Sequence, residues 1–261
     1  MQLAILGASG RMGQALSRAA AARDIDVIGI VREQSTALAE QQHVVAVNQV
    51  DWSHCDVIVD FSSVQALSDN LALAQRQQLP IVVCTTGLSD TDQRLLDAAA
   101  KKVPVLYAAN TSVGVNLLQQ LVRISSQVLA EADIEIVEAH HKRKLDAPSG
   151  TALLLGEAAA AGRGQRLADV SAGIRGAGER QTGSIGFACL RAGDIVGEHS
   201  AYFVDDNERI EITHRVANRQ VFADGALRAA AWLMKQAPGR YKMSDMLGIE
   251  AALAELLKTS D

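Results

Sequence analysis

A short apolar run, Leu3-Ala4-Ile5-Leu6, breaks at Gly7-Ala8-Ser9-Gly10-Arg11-Met12-Gly13 and is followed by a helical stretch from Gln14 to Ala21. Strand, glycine turn and helix in that order make the first crossover of a dinucleotide-binding sheet. The glycines let the backbone turn tightly, approach a pyrophosphate and pack the helix on the sheet, while the helix N-terminus meets the phosphate charge. The spacing is GxxGxxG, not the commoner GxGxxG. What lends it weight is its position at the first βα turn.

The next strand, Asp26 to Val31, is expected to end beside an adenosine ribose, where an acidic side chain binds the 2′-hydroxyl and an arginine accepts a 2′-phosphate. Arg32 and then Glu33 stand there. Glu33 favours NADH and Arg32 favours NADPH, so both cofactors stay open. Apolar runs at Asp56 to Asp60, Ile81 to Cys84 and Val103 to Tyr107 then alternate with helical segments at Val64 to Gln77 and Asp90 to Ala100. That is the rhythm of a Rossmann-like, doubly wound parallel sheet with helices on both faces. Ligands gather at the carboxyl ends of such strands. Those ends carry Phe61-Ser62-Ser63, Thr85-Thr86-Gly87 and Ala108-Ala109-Asn110-Thr111-Ser112. Small residues admit a cofactor close to the backbone and hydroxyls bond its ribose and phosphates, although each loop taken singly also suits an ordinary turn.

After a helix at Val115 to Leu129 the rhythm changes. Asp133 to Ala139, Gly183 to Leu190, Ile195 to Phe203 and Arg209 to His214 read as strands, the last three joined by short turns at Ala192-Gly193-Asp194 and Asp205-Asp206-Asn207. The pattern predicts a second, smaller α+β domain of mixed, largely antiparallel sheet. The Gly- and Arg-rich stretch from Gly162 to Gly183 is expected to loop out, and the chain from Asp224 onward reads as helices returning to the first domain. The fold class is thus α/β, with residues 1–112 plus 224–261 binding a dinucleotide and 113–223 binding substrate and building oligomer contacts.

The chemistry concentrates in Glu138 to Ala152, EAHHKRKLDAPSGTA. His140 and His141 sit where the strand from Asp133 runs out. Ser149 is placed to cap a helix ending near Gly162, whose first turn presents backbone N–H groups from Gly150 and Thr151. A carboxylate there gains those bonds and the positive end of the helix dipole. Lys144, in the connection, leans over the same spot. An imidazole with a pKa near 6.5 delivers a proton at neutral pH, whereas a lysine mainly supplies fixed charge or a tuned acid. Taken alone, a His-His pair is more often structural and Lys142-Arg143-Lys144 more often a solvated turn. Neighbouring strand residues point to opposite faces, so the pair is poorly placed to chelate one ion, and no HExxH or paired CxxC spacing supports zinc. The combination suits an anionic substrate that must accept a proton.

Composition agrees with a soluble two-domain enzyme: 261 residues, 48% hydrophobic and 21% charged, can bury two modest cores. No repeat, low-complexity run, signal peptide or membrane-spanning stretch is read. Cys55, Cys84 and Cys189 form no motif and suit a reducing cytoplasm. A net charge of -5 argues against a nucleic-acid partner, so the cations around Lys144 look set to focus a small anion. His54, Asp194, Glu198 and His199 invite a metal reading, but Asp194 is better placed in a turn and His199 in a strand.

These segments resemble the bacterial 4-hydroxy-tetrahydrodipicolinate reductase (dihydrodipicolinate reductase) family nearly end to end. The resemblance is carried by GASGRMG at Gly7 to Gly13, TTG at Thr85 to Gly87, AANTSVGVN at Ala108 to Asn116, EAHHKRKLDAPSGTA at Glu138 to Ala152, GFACLRAGDIVGEHS at Gly186 to Ser200 and FADGALRAA at Phe222 to Ala230. It implies a cytoplasmic, homotetrameric oxidoreductase of the diaminopimelate and lysine pathway. Such an enzyme passes a hydride from NADH or NADPH to the cyclic dicarboxylate made from pyruvate and aspartate semialdehyde, giving tetrahydrodipicolinate. By the same resemblance His140 and Lys144 are the proton-transfer pair, with His141, Gly150 and Thr151 on the substrate. Gly7, Ala8, Ser9, Gly10, Arg11, Met12, Glu33, Thr85, Thr86, Ala108, Ala109, Asn110 and Thr111 line the cofactor. The family's hinged halves close nicotinamide over substrate, and its smaller domain builds the tetramer by pairing exposed sheets.

Cys84 departs from the family's usual glycine in the GTTG loop, and Thr111 stands where a larger, often aromatic residue is common; both bear on cofactor affinity. A dinucleotide-sensing regulator would need the glycine loop but has no use for His140, His141 and Lys144 beside a helix start. An aldehyde-type dehydrogenase would want a cysteine nucleophile at the second-domain boundary, where the cysteines do not fall.

Overall fold

The first strands read as unbroken apolar runs because helices cover both faces of their sheet. The structure, a computed structural model, describes residues 1–31, 44–249, 251, 252 and 255. In chain order the first elements are β1 (Gln2–Leu6), α1 (Arg11–Ala21), β2 (Asp26–Val31), β3 (Val44–Ala46), β4 (Val57–Asp60), α2 (Leu67–Gln77), β5 (Ile81–Val83), α3 (Asp90–Ala100) and β6 (Pro104–Tyr107). Next come α4 (Val113–Val128), β7 (Asp133–His140), α5 (Gly150–Gly162), α6 (Leu167–Val170), β8 (Ser171–Ile174), β9 (Ile185–Arg191), β10 (Gly197–Val204) and β11 (Arg209–Val216). The chain closes with α7 (Gln220–Leu233), β12 (Gly239–Tyr241) and α8 (Met243–Leu247). It divides into two compact units, Met1–Val113 with Arg219–Asp261, and Gly114–Asn218.

The first unit is a seven-stranded, wholly parallel sheet in the order β12-β6-β5-β4-β1-β2-β3. Strand periodicity sorts its side chains. Leu3, Ile5, Val57 and Val59 face a core with Leu16 and Ala19 of α1 and Ala226 and Ala230 of α7. Ala4, Leu6, Ile58 and Ile81 face the opposite core with Leu71 of α2 and Leu96 of α3. The small residues of α7 let it lie close: a Cβ at Gly225 would collide with the Thr111 carbonyl. Short β12 lies in a stretch expected to be helical. It is paired with β6 and held by Tyr241 against Trp232 and by Arg240 over Tyr107, contacts that no local periodicity displays.

The second unit is a five-stranded mixed sheet, order β11-β10-β7-β9-β8, with α5 and α4 over one face. Ala152, Leu155 and Ala159 of α5 pack on Ile134, Ile136, Phe187 and Ala201, and Gly156 leaves room for the Phe187 ring. Two details differ from the sequence reading. β10 is antiparallel to β7 and β11, but β9 is parallel to β7 and β8. No hairpin therefore joins β9 to β10 through Ala192-Gly193-Asp194, because β7 lies between them. The stretch after Gly162 is not wholly loop: it carries α6 and the exposed edge strand β8, whose Gly173 bulge and lack of apolar alternation hide it from a periodicity search.

Candidate active site

Along β7, Ile134 and Ile136 point into the core of the second unit, and the same parity brings Glu138 and His140 to the end of that face. Register completes the group. His199 of β10 and Cys189 of β9 lie opposite Glu138, and Arg191 of β9 lies opposite His140. Titratable side chains therefore meet where the apolar ladder stops.

The Glu138 side chain is 0% exposed. Arg191 grips it as a fork, Nη1 donating to Oε2 at 2.8 Å and Nη2 to Oε1 at 2.7 Å. His140 Nδ1 lies 2.6 Å from Oε2, and the Ser149 N–H donates to Oε1 at 3.1 Å. Burial pushes the carboxyl up, but the bonds from Arg191, His140 and Cys189 outweigh it and hold the pKa at about 2. An ionised carboxylate only accepts, so Nδ1 of His140 carries a proton and Nε2 is the nitrogen left for chemistry. Gly197 lies beside it: a Cβ there would stand 3.2 Å from Nε2. Burial lowers the pKa of His140, Glu138 opposes that shift, and the charges of Lys144 and Arg191 add to it.

His199 packs edge-on against His140 with ring centroids 5.1 Å apart. Burial, followed by the charge of His140, takes its pKa down to about 3, so it is neutral at ordinary pH. Its Nε2 is 3.0 Å from Ser149 Oγ, which also accepts the Ala152 N–H at 3.2 Å and so caps α5. The connection carrying Lys144 is tied at several points. The Lys144 N–H donates to the His141 carbonyl at 3.1 Å, Lys142 N–H to Gly193 at 3.1 Å, and Arg191 Nη2 to the Asp146 carbonyl at 2.7 Å. Nζ of Lys144 is 2.8 Å from Asp146 Oδ2. His141 Nδ1 is buried and has no hydrogen-bond partner among the described residues. Gly150 is exposed at the first turn of α5, where its N–H has no intrahelical acceptor, and Thr151 follows half-buried.

In the first unit Gly7 has φ +77°, a value that favours glycine, and a Cβ there would lie 2.8 Å from the Phe61 carbonyl. Gly10 caps α1 and donates to the Gly7 carbonyl at 3.0 Å. Ala8 is buried, Ser9 and Arg11 are exposed, and Met12 is half-buried. After β5, Thr85 is buried with no partner for Oγ1 among the described residues, while Thr86 is exposed and Gly87 takes φ +75°. After β6, Ala108 is buried, Ala109 and Asn110 are half-buried, and Asn110 Oδ1 accepts the Ser112 N–H at 2.9 Å. The Thr111 hydroxyl donates to the Phe222 carbonyl at 2.6 Å, so that buried side chain already has a structural task. Arg32 and Glu33 lie outside the described residues.

A cleft of about 600 Å³ opens at the carboxyl ends of the strands, bounded by Gly7, Ser9, Ile30, Ser62 and Asn70. Buried Asp60 shapes its wall, accepting from the Ser62 N–H at 2.8 Å and Asn70 at 3.0 Å. A hollow of about 850 Å³ near Gln2, Asp26 and Asp51 lies at the opposite ends of the strands, away from where a doubly wound sheet binds its ligand. The left-handed turn at Gly7, opening on a cleft walled by Ser9, Ser62 and Ser63 at the carboxyl ends of the strands, fits a dinucleotide.

Sequence reasoning did not find Glu138 and Arg191 and took His199 for an ordinary strand residue. A signal was available at Glu138, a charged residue on the parity that Ile134 and Ile136 mark as buried.

A parallel sheet with a glycine cradle, joined to a unit bearing a carboxylate-held histidine and a lysine, places the chain among the two-unit pyridine-nucleotide oxidoreductases. Residues 1–111 match the family "Dihydrodipicolinate reductase, N-terminus" and residues 114–247 the family "Dihydrodipicolinate reductase, C-terminus". The chain belongs to the dihydrodipicolinate reductase family. It is 44% identical over 252 residues to the 4-hydroxy-tetrahydrodipicolinate reductase of Zymomonas mobilis subsp. mobilis, covering 95% of this chain and 98% of the relative. With the enzyme of that name from Acinetobacter baumannii (strain AYE) it shares 42% over 265 residues, covering 95% and 96%. In fold it is similar to a dipicolinate-bound dihydrodipicolinate reductase from Paenisporosarcina sp. TG-14, with a TM-score of 0.74 at 20% identity, covering 93% of this chain and 97% of the other.

Proposed function

We propose that the protein is a 4-hydroxy-tetrahydrodipicolinate reductase, reducing the cyclic dicarboxylate formed from pyruvate and aspartate semialdehyde to tetrahydrodipicolinate. The observation that carries this reading is His140 held through Nδ1 by buried Glu138, close in the chain to Lys144 and the capped start of α5, in a chain of that family. When bound, NADH or NADPH supplies the hydride. Gly7, Ala8, Ser9, Gly10, Arg11 and Met12 hold its pyrophosphate, and Thr85, Thr86, Ala108, Ala109, Asn110 and Thr111 line the rest. Glu33, next to Arg32 in the sequence, would be the residue to bind the adenosine ribose.

The remaining work belongs to the second unit. Gly150, Thr151 and His141 receive substrate carboxylate oxygens at the positive end of α5. Lys144 exchanges the Asp146 carboxylate, 2.8 Å away, for one of the substrate's. His140, through Nε2, and Lys144, through Nζ, form the proton-transfer pair that supplies the atom made basic by reduction. The protein acts in the diaminopimelate and lysine pathway as a cytoplasmic homotetramer, and a monomeric mass in light scattering would contradict that assembly.

The test follows oxidation of NADH and of NADPH by absorbance while the preceding synthase makes substrate from pyruvate and aspartate semialdehyde. Turnover is expected, and His140→Ala and Lys144→Ala are each expected to lower kcat by about 10²–10⁴-fold with cofactor affinity unchanged. A wild-type protein that binds cofactor tightly without turnover would point to the sensor reading instead.

A further inference from the structure

The Glu138–Arg191 pair is a larger investment than stability asks for. Replacing a buried ion pair by well-packed apolar side chains is often neutral or stabilising, whereas losing one partner leaves an uncompensated charge. Apolar residues would continue the Ile134–Ile136 ladder, so the position of the pair calls for another reason. Its bonds show one. The same carboxylate takes the His140 ring nitrogen from β7, the Ser149 N–H that opens α5 and the guanidinium of Arg191 from β9. Arg191 in turn holds the Asp146 carbonyl, in the connection that carries Lys144. One carboxylate thus joins β7, β9 and the start of α5 and, through Arg191, the Lys144 connection.

We propose that Glu138 and Arg191 are positioning residues of this reductase: Glu138 fixes His140 with Nδ1–H turned inward and Nε2 toward the substrate, and Arg191 fastens the Lys144 connection to the same carboxylate. This rests on the reductase reading above. Neither residue touches substrate; each acts through another. The groups facing His140 are Glu138 on its own strand, Arg191 from β9, His199 from β10 and Lys144 from the connection. Among them only Glu138 supports the protonated ring, so removing its charge makes His140 a weaker base. Because an acid works while protonated, the limb on which turnover falls with rising pH moves to lower pH.

The test pairs Glu138→Gln with two readouts. Imidazole ¹⁵N spectra of histidine-labelled protein, with the His140 signal assigned by its loss in His140→Gln, report the tautomer without any turnover. Wild type is expected to show the Nδ1–H form, and Glu138→Gln to lose it, since the Ser149 N–H and Arg191 Nη2 hold the amide carbonyl at the Oε1 position and turn the NH₂ toward Nδ1. The kinetic readout is the pH profile, with kcat lowered by about tenfold or more, short of the 10²–10⁴-fold that loss of the acid itself costs, its alkaline limb moved to lower pH and cofactor KM unchanged. If Glu138→Gln does not fold, Arg191→Lys replaces it: Glu138 remains, so the Nδ1–H tautomer persists while kcat falls through loss of the fork and of the Asp146 bond. A folded Glu138→Gln with the wild-type tautomer and pH profile, or an Arg191→Lys with full kcat, overturns the proposal. Absence of turnover in wild type with the Nδ1–H tautomer intact would instead count against the reductase reading.

Discussion

His199 shows how one side chain couples stability to pH. It is 4% exposed and neutral, with a folded-state pKa near 3 against 6.5 for the ordinary group. Between those values the unfolded chain binds a proton that the folded chain refuses, so stability falls as pH drops through that window, by about 1.4 kcal/mol per pH unit. Glu138, with its pKa held at about 2 against 4.5, adds a second loss of the same sign at lower pH. Urea unfolding at pH 7.5 and pH 5.5 is therefore expected to show a clear drop in midpoint that His199→Gln reduces; equal drops in both proteins would rule out His199 as the source. Gly197 is the other residue whose chemistry is mainly a matter of space. The Cβ of Gly197→Ala would crowd His140 Nε2 at 3.2 Å, and kcat is expected to fall about tenfold, less than the 10²-fold attached to a full ångström of misplacement. The check is kcat beside an unchanged far-UV spectrum.

Elements whose signals are local were legible in advance. α3 spans Asp90–Ala100 as read, started by a capping box between Ser89 and Asp92, and Ser149 caps α5 as expected. The glycine turn before α1 belongs to the same class, with a packing requirement besides. A Cβ at Gly13 would collide with the Gly7 carbonyl and stand 2.7 Å from the Ala8 Cα. Backbone cannot step aside as a side chain does, so Gly13→Ala is expected to cost about 1–3 kcal/mol of stability and to weaken NADH binding. Thermal unfolding and a fluorescence titration measure the two effects, and unchanged values in both would contradict the packing account. β8 and β12 escaped because neither carries the apolar run that marks the equally short β4, β5 and β6.

At the scale of the whole molecule, each unit builds its own core, two around the parallel sheet and one beneath α5. The acid-sensitive groups Glu138 and His199 lie in Gly114–Asn218, whereas Trp52 and Trp232, the only tryptophans, lie in the other unit. Indole fluorescence therefore reports one unit and far-UV dichroism both. Acidification to pH 5.5 is expected to lower the urea midpoint seen by dichroism more than that seen by fluorescence. Curves that superimpose at pH 5.5 as at pH 7.5 would mean that the units unfold as one.

What the sequence determined by itself is whatever short-range physics writes within a few residues: the strand–glycine–helix opening, the βα alternation, the cap at Ser149 and the placing of His140 and Lys144 around a helix start. Strand alternation also assigns each side chain a face. It does not choose the neighbour on that face, and the tertiary structure alone decided that β7 separates β9 from β10 and that Arg191 reaches Glu138 across 53 residues of chain. Those pairings depend on register between distant strands, set by burial of the whole sheet, and so the carboxylate that orients the histidine becomes visible only once the sheet is assembled.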